Sequence, residues 1–266
     1  MGKYIITAEE LGDTLEQYLV IDLREAQEYT KGHLRGAMPI PVDPLLNDEN
    51  TNLLPAWRFA AIMSSLGATT DTRVVVYDDN LGRASCRFLY AARHYGHKDI
   101  RMLDGGVKSI VGMPLEAGGR EPAFSYYYPG YEPGYFYFLG DLLKNYDNVR
   151  ILDTRSRAEY DGAMPMNNPR GGHLPGALHL SHDQLLDIEG MGTFIEPELV
   201  EEKVYKLGLG KEDTIVIYCQ SGVRAAVAGL AMRNAGFLNT IVYDGSMFEW
   251  TRCAGLKLDN EVLAKA

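Results

Sequence analysis

Thr214-Ile215-Val216-Ile217-Tyr218-Cys219-Gln220-Ser221-Gly222-Val223-Arg224-Ala225-Ala226-Val227-Ala228-Gly229-Leu230 is the stretch on which the reading of this chain turns. Its first five residues are apolar and largely β-branched, the pattern of a strand buried on both faces. The alanine-rich end begins a helix. Cys219 stands between them, where the backbone N–H groups of a helix start converge and the helix dipole favours negative charge. A thiolate or a bound oxyanion is stable at such a point, so chemistry is expected there.

Outward from this stretch the chain repeats itself. Val20-Ile21-Asp22-Leu23-Arg24 is echoed by Ile151-Leu152-Asp153-Thr154-Arg155, and Glu28-Tyr29 by Glu159-Tyr160. Gly32-His33-Leu34-Arg35-Gly36-Ala37 returns as Gly172-His173-Leu174-Pro175-Gly176-Ala177. Val74-Val75-Val76-Tyr77 matches Ile215-Val216-Ile217-Tyr218, and Leu103-Asp104-Gly105-Gly106 matches Tyr243-Asp244-Gly245-Ser246. A period of about 140 residues is too long for a solenoid and marks a duplicated domain. The second copy carries an extra stretch around Asp161 to Gly171. Helix-like segments from Ala56 to Leu66 and from Leu199 to Leu207 each end at a glycine, Gly67 or Gly208, suited to a left-handed C-cap. The expected fold is α/β: two domains, each a parallel sheet flanked by helices on both faces. Their expected bounds are residues 1–116 and 136–266, joined by a Gly/Pro/Tyr-rich linker at 117–135. So many tyrosines predict a linker that packs along the domains rather than a solvated one.

Composition agrees with a soluble globular protein: 266 residues, 46% hydrophobic and 23% charged. No apolar run reaches the roughly 18 residues of a membrane span. The N-terminus lacks a signal-peptide core, and Ile6 stands where myristoylation of Gly2 needs Ser or Thr. A cytoplasmic protein is expected. A net charge of -10 argues against nucleic acid as a partner. It leaves room for a small anion, since carboxylates beyond roughly 8 Å are screened. Cys86, Cys219 and Cys253 are the three cysteines, with no Cys-x-x-Cys. They fit neither a disulfide framework, nor a redox dithiol, nor a cysteine-rich zinc site. His173, His179 and His182 form a cluster, but His173 has its counterpart in His33, where no other histidines follow; a structural role is expected, with no metal and no cofactor. Cys86 and Cys253 read as plain buried or surface cysteines. Asp22 and Asp153 are expected to bind backbone amides or to pair with Arg24 and Arg155.

Both Asp-x-Arg segments, both Gly-His-Leu-x-Gly-Ala segments, the Cys219 loop and Asp244-Gly245-Ser246-Met247-Phe248-Glu249-Trp250 resemble the tandem-domain rhodanese family, the thiosulfate and 3-mercaptopyruvate sulfurtransferases. The resemblance covers nearly the whole chain. It implies a small α/β domain used twice, with the catalytic cysteine in the second copy only. Asp78 falls where Cys219 falls, and each is followed five residues later by an arginine, Arg83 or Arg224. A carboxylate cannot form a persulfide, so the first copy reads as scaffold, with Arg83 expected to pair with Asp78.

The chemistry implied is attack by a Cys219 thiolate on a sulfane sulfur, storage as a persulfide, and release to an acceptor. Cyanide, thioredoxin or another sulfur-accepting protein could serve as acceptor. The amides from Gln220 through Val223 to Arg224 would wrap the sulfur, Ser221 adds a hydroxyl and Arg224 adds positive charge. Gly222 permits a backbone closed to other residues. Phosphatases of related design use Cys-x5-Arg preceded by His; here the loop is Cys-x4-Arg preceded by Tyr218.

Donor signals are mixed. Ser221, Gly222 and Val223 match the mercaptopyruvate loop, whereas Gln220 and Arg224 resemble thiosulfate-type loops. Glu159 stands where mercaptopyruvate enzymes place an arginine for the carboxylate. Thiosulfate is the expected donor, with 3-mercaptopyruvate, or a carrier or regulatory module served by a protein donor, as the alternatives. Two arginines are candidates to bind the donor: Arg155, for which a structural ion pair is the equal alternative, and Arg170, from the extra stretch.

Overall fold

A computed structural model describes residues 4–40, 53–118 and 124–263. It divides into two compact units. The first contains strands β1 (Ile5–Ile6), β2 (Leu19–Asp22), β3 (His33–Leu34), β4 (Met38–Pro39), β5 (Val74–Tyr77), β6 (Ile100–Leu103) and β7 (Leu115–Glu116). Its helices are α1 (Ala8–Gly12), α2 (Ala26–Lys31), α3 (Ala56–Ser65) and α4 (Arg83–His94). The second contains β8 (Phe136–Tyr137), β9 (Arg150–Asp153), β10 (Arg170–His173), β11 (Leu178–His179), β12 (Ile215–Tyr218), β13 (Thr240–Tyr243) and β14 (Asp259–Leu263). Its helices are α5 (Leu139–Asn145), α6 (Arg157–Tyr160), α7 (Pro197–Lys206), α8 (Val223–Asn234) and α9 (Ser246–Trp250).

Each unit is built on a five-stranded parallel sheet with flanking helices. The strand orders, β1-β6-β5-β2-β4 and β8-β13-β12-β9-β11, are the same arrangement twice. The central strands explain why the sheets are parallel and covered. All four residues of β5 are buried, as are all four of β12, so both faces of each strand need a helical layer. Around β5 pack Ile6, Leu11, Val20, Leu34 and Leu103; around β12 pack Leu142, Ile151, Tyr243, Met247 and Trp250. A small antiparallel pair completes each unit, β3 with β7 and β10 with β14.

The two glycine caps behave as the sequence predicts. After α3, the Ala68 amide donates to the Met63 carbonyl and the Gly67 amide to Ser64, with Gly67 at φ = 75°. After α7, Leu209 donates to Val204 and Gly208 to Tyr205, with Gly208 at φ = 73°. Both are Schellman closures, in which a left-handed residue returns two orphan carbonyls to hydrogen-bonding partners.

Two segments depart from a simple cut between the copies. Residues 124–133 lie along the first unit: the amides of Ser125, Gly130 and Glu132 donate to the carbonyls of Ser64, Tyr95 and His94. Tyr127 is buried there while Tyr126 and Tyr128 face outward. Residues 187–194 follow the second copy's sequence yet belong to the first unit, where the Phe194 amide donates to the Asp104 carboxylate at 3.0 Å.

The equivalence of Arg83 and Arg224 requires a correction. Five residues, 78–82, separate β5 from α4, but only four, 219–222, separate β12 from α8. Arg83 therefore opens its helix where Val223 opens the other, and Arg224 is the second helical residue.

Candidate active site

Cys219 follows β12 directly and is 1% exposed. Three residues on, Gly222 caps α8 in a left-handed conformation, φ = 77°, which turns the chain sharply enough to aim the helix start back at the strand end. The first intrahelical bond runs from the Ala226 amide to the Gly222 carbonyl. Amides earlier than that have no acceptor within the helix and form an anion cradle.

The first unit shows such a cradle occupied. The Asp78 carboxylate accepts hydrogen bonds from the amides of Asn80 (2.8 Å), Gly82 (3.0 Å) and Ser85 (2.8 Å). Gly82 is the cap of α4 as Gly222 is of α8. Counted from the caps, the matching amides beside Cys219 belong to Gln220, Gly222 and Ala225. One copy thus fills its cradle with its own carboxylate, and the other has a cysteine directly after the corresponding strand.

The backbone of Cys219 is fixed from α9. Its amide donates to Ser246 Oγ at 3.2 Å, and its carbonyl accepts from the Met247 amide. Ser246 is buried and holds φ = 50°, a left-handed conformation that costs a non-glycine residue about 1–2 kcal/mol. The first copy has Gly106 there at φ = 53°. Reading the sequence alone gave Ser246 no role; the signal was the exchange of the second glycine of Asp104-Gly105-Gly106 for serine.

Arg224 was expected to lend positive charge to the loop, but most of its hydrogen bonding is spent elsewhere. Its two terminal nitrogens each donate to Glu159, both at 2.8 Å. Glu159 is 3% exposed and also accepts from the Ser156 amide and hydroxyl, closing the N-terminal capping box of α6. Burial works against its charge, yet the Arg224 pair and the Ser156 bonds outweigh it and hold the carboxyl at about 2. Burial likewise opposes the Arg224 charge, and the Glu159 bonds, followed by the nearby Cys219 sulfur, carry its pKa above the ordinary value. The pair joins residues 65 apart, so only the Ser156-x-x-Glu159 capping pattern was visible in the sequence.

Neither candidate donor-binding arginine faces the loop as a free cation. Arg155 is 1% exposed; its Nε and one Nη bind Asp153, and the same Nη donates to the Gly172 carbonyl at 2.8 Å. The cysteine-free copy repeats this with Arg24, Asp22 and the Gly32 carbonyl, so the arrangement belongs to the fold. The tie over Arg155 resolves to the structural ion pair. Arg170 directs its guanidinium at the backbone carbonyls of Trp250, Thr251, Cys253 and Leu256, locking the turn after α9.

What the extra stretch does supply is Asn168. It is 3% exposed and exchanges two side-chain hydrogen bonds with Gln220, at 2.8 and 2.9 Å. The histidines take structural parts. His173 stacks on Tyr160 at 3.7 Å, as His33 does on Tyr29, and His179 bonds the Arg155 carbonyl. All three cysteines are unpaired, and burial pushes the Cys86 thiol well up, which keeps it inert.

Comparison with known proteins identifies the family of the fold. The rhodanese-like domain model matches twice, over residues 7–112 and 139–253. The 3-mercaptopyruvate sulfurtransferase of Escherichia coli K12 is 28% identical over 249 residues, covering 90% of this chain and 87% of that protein. A thiosulfate sulfurtransferase of Corynebacterium glutamicum is 31% identical, covering 84% and 78%. The sulfur carrier protein TtuD of Thermus thermophilus is 28% identical, covering 94% and 93%. Among solved structures, SseA from Escherichia coli, a 3-mercaptopyruvate sulfurtransferase, superposes with a TM-score of 0.80 at 25% identity, covering 92% of this chain and 98% of that one. With two matched copies that span most of its length, the chain belongs to the rhodanese-like domain family and to its tandem sulfurtransferases.

Proposed function

We propose that the protein transfers the sulfane sulfur of thiosulfate to a thiophilic acceptor through a persulfide on Cys219. The observation that carries this is the contrast between the two cradles, one sealed by the Asp78 carboxylate and one offering a cysteine. In the first half-reaction the Cys219 thiolate attacks the outer sulfur of thiosulfate. A Cys219–S bond forms, the S–S bond of thiosulfate breaks, and sulfite leaves with the bonding pair. The outer persulfide sulfur carries the negative charge, and the amides of Gln220, Gly222 and Ala225, which match the donors to Asp78, would stabilise it. In the second half-reaction cyanide, or a thiolate of thioredoxin or another sulfur-accepting protein, attacks that sulfur and regenerates the Cys219 thiolate.

Thiosulfate is favoured over 3-mercaptopyruvate because its charged sulfonate is bonded directly to the transferred sulfur, within reach of the loop amides. The mercaptopyruvate carboxylate lies further out and requires a guanidinium set apart from the loop. Arg155 and Arg170 are committed to Asp153 and to carbonyls, and Glu159 is an anion. The mercaptopyruvate and carrier readings are kept as alternatives by the names of the Escherichia coli and Thermus relatives. We assign residues 1–116 to the scaffold copy, 117–135 to the linker and 136–266 to the catalytic copy. Three unpaired cysteines suit a reducing compartment, so we propose a cytoplasmic setting.

The test is steady-state cyanolysis with each donor, wild type beside Cys219→Ser. Thiosulfate turnover in the wild type with none in the variant supports the proposal. A wild type that turns over only 3-mercaptopyruvate would overturn the donor assignment, and thiocyanate production by Cys219→Ser would overturn the nucleophile.

A further inference from the structure

The Gln220 side chain is held by a closed ring of hydrogen bonds that has no use in the reaction as written. Asn168 and Gln220 exchange their two amide bonds. Arg252 adds a third contact to Asn168 Oδ1 at 3.3 Å, donates to the Asn167 carbonyl at 2.8 Å and to the Phe248 carbonyl at 2.8 Å. It also lies over the Phe248 ring, 3.7 Å from its centre. The Phe248 amide then donates to the Gln220 carbonyl at 3.0 Å and completes the circuit. Gln220 is therefore gripped through its side chain from the extra stretch and through its backbone from α9.

Two features separate this ring from ordinary packing. It is built from a segment the first copy lacks: α2 leads through Gly32 straight into β3, whereas nine residues, 161–169, separate α6 from β10. In the first copy Asn80, which matches Gln220 when counted from the helix cap, donates its backbone amide to the Asp78 carboxylate at 2.8 Å. Reciprocal pairing also uses both functions of a primary amide, so neither Asp nor Leu at position 168 could reproduce it.

The loop must hold one shape while its occupant changes from a thiolate to a bulkier persulfide and back. The residue after the nucleophile carries one of the amides that match the donors to Asp78, and a side chain free to rotate would let that amide turn away. We propose that Asn168 is a positioning residue: with Arg252 it clamps Gln220, so that the Gln220 amide stays aimed at the sulfur through both half-reactions. The inference rests on Cys219 being the nucleophile.

The experiment compares wild type, Asn168→Ala, the exchanged pair Asn168→Gln with Gln220→Asn, and Cys219→Ser in cyanolysis of thiosulfate, with 3-mercaptopyruvate in parallel. Thermal unfolding of each variant corrects for folded fraction. Per folded molecule, Asn168→Ala is expected to lose roughly tenfold in kcat with KM changed less than about twofold, the mark of misplaced reacting groups rather than lost binding. The exchanged pair, which restores an amide–amide contact, is expected to recover most of the loss. Wild-type kcat in Asn168→Ala, or a loss explained wholly by unfolding and not recovered by the exchange, overturns the proposal. Turnover by Cys219→Ser overturns instead the reading beneath it.

Discussion

Replacing Glu159 by Gln keeps the shape of the side chain and removes its charge, which isolates the ion pair with Arg224. A buried carboxyl held at about 2 against an ordinary 4.5 prefers its ionised form by about 3 kcal/mol, at roughly 1.4 kcal/mol per tenfold change. That figure is an upper estimate of the pair's worth, because Arg224 retains 19% exposure and water screens part of it. A coupling of about 2 kcal/mol is therefore expected from a double-mutant cycle of Glu159→Gln, Arg224→Met and the combined variant. Urea unfolding followed by the fluorescence of Trp250, 3% exposed in the core of the second unit, is the assay. The pH dependence fixes the sign. The folded carboxyl titrates below the unfolded one, so its contribution is complete above about pH 4.5 and disappears as pH falls toward about 2. Wild-type stability should decline through that window more steeply than that of Glu159→Gln. Freed from its partner, the Arg224 charge should also speed alkylation of Cys219 by iodoacetamide. A coupling below about 0.5 kcal/mol at pH 7, or parallel acid limbs for the two proteins, would refute the buried-pair reasoning.

Other consequences follow from the same geometry. Glu159→Arg alone would set two guanidinium groups against each other; combined with Arg224→Thr it should raise kcat/KM for 3-mercaptopyruvate relative to thiosulfate by about tenfold, and an unchanged ratio of the two donors would count against charge at this position as the selector. Asp78→Ala strips an acceptor from three amides and should cost about 2–4 kcal/mol in unfolding, whereas Asp78→Asn should cost less, and neither should alter kcat per folded molecule. Arg170→Ala removes a donor from four part-buried carbonyls and should lower the unfolding midpoint while leaving KM for thiosulfate in place; a rise in KM without loss of stability would restore Arg170 as a donor-binding residue.

How far the sequence reached depends on the range of the interactions involved. The apolar runs at Val74–Tyr77 and Ile215–Tyr218, the glycine caps and the duplicated landmarks are local or periodic, and they were enough for two parallel α/β units and a cysteine at a helix start. Arginine, by contrast, announces the chemistry of its partner and not which partner it takes. Arg155, Arg170 and Arg224 all read as potential anion binders. The fold takes the first to the Asp153 pairing that is one of its two readings, binds the second to carbonyls 80 or more residues away, and neutralises the third with Glu159. The Asn168–Gln220 contact was hidden for the same reason, since two amides 52 residues apart carry no periodicity and no charge. Equal spacing also misled: Arg83 and Arg224 stand five residues after their loop-opening residues, but the extra residue before α4 places them at different helical positions.

The loop at Asp78 carries its occupant covalently. Anions that compete for the Cys219 loop therefore meet the Asp78 loop already closed by its own carboxylate. It also limits how this half could regain chemistry. A cysteine in place of Asp78 would sit at the mouth of a loop with one residue too many before its helix, next to a glycine, Gly106, whose position admits no side chain against the Asp78 carbonyl. Reactivation is therefore expected to need a deletion and a substitution together. A duplicated half in that position is held in its supporting role by its own backbone.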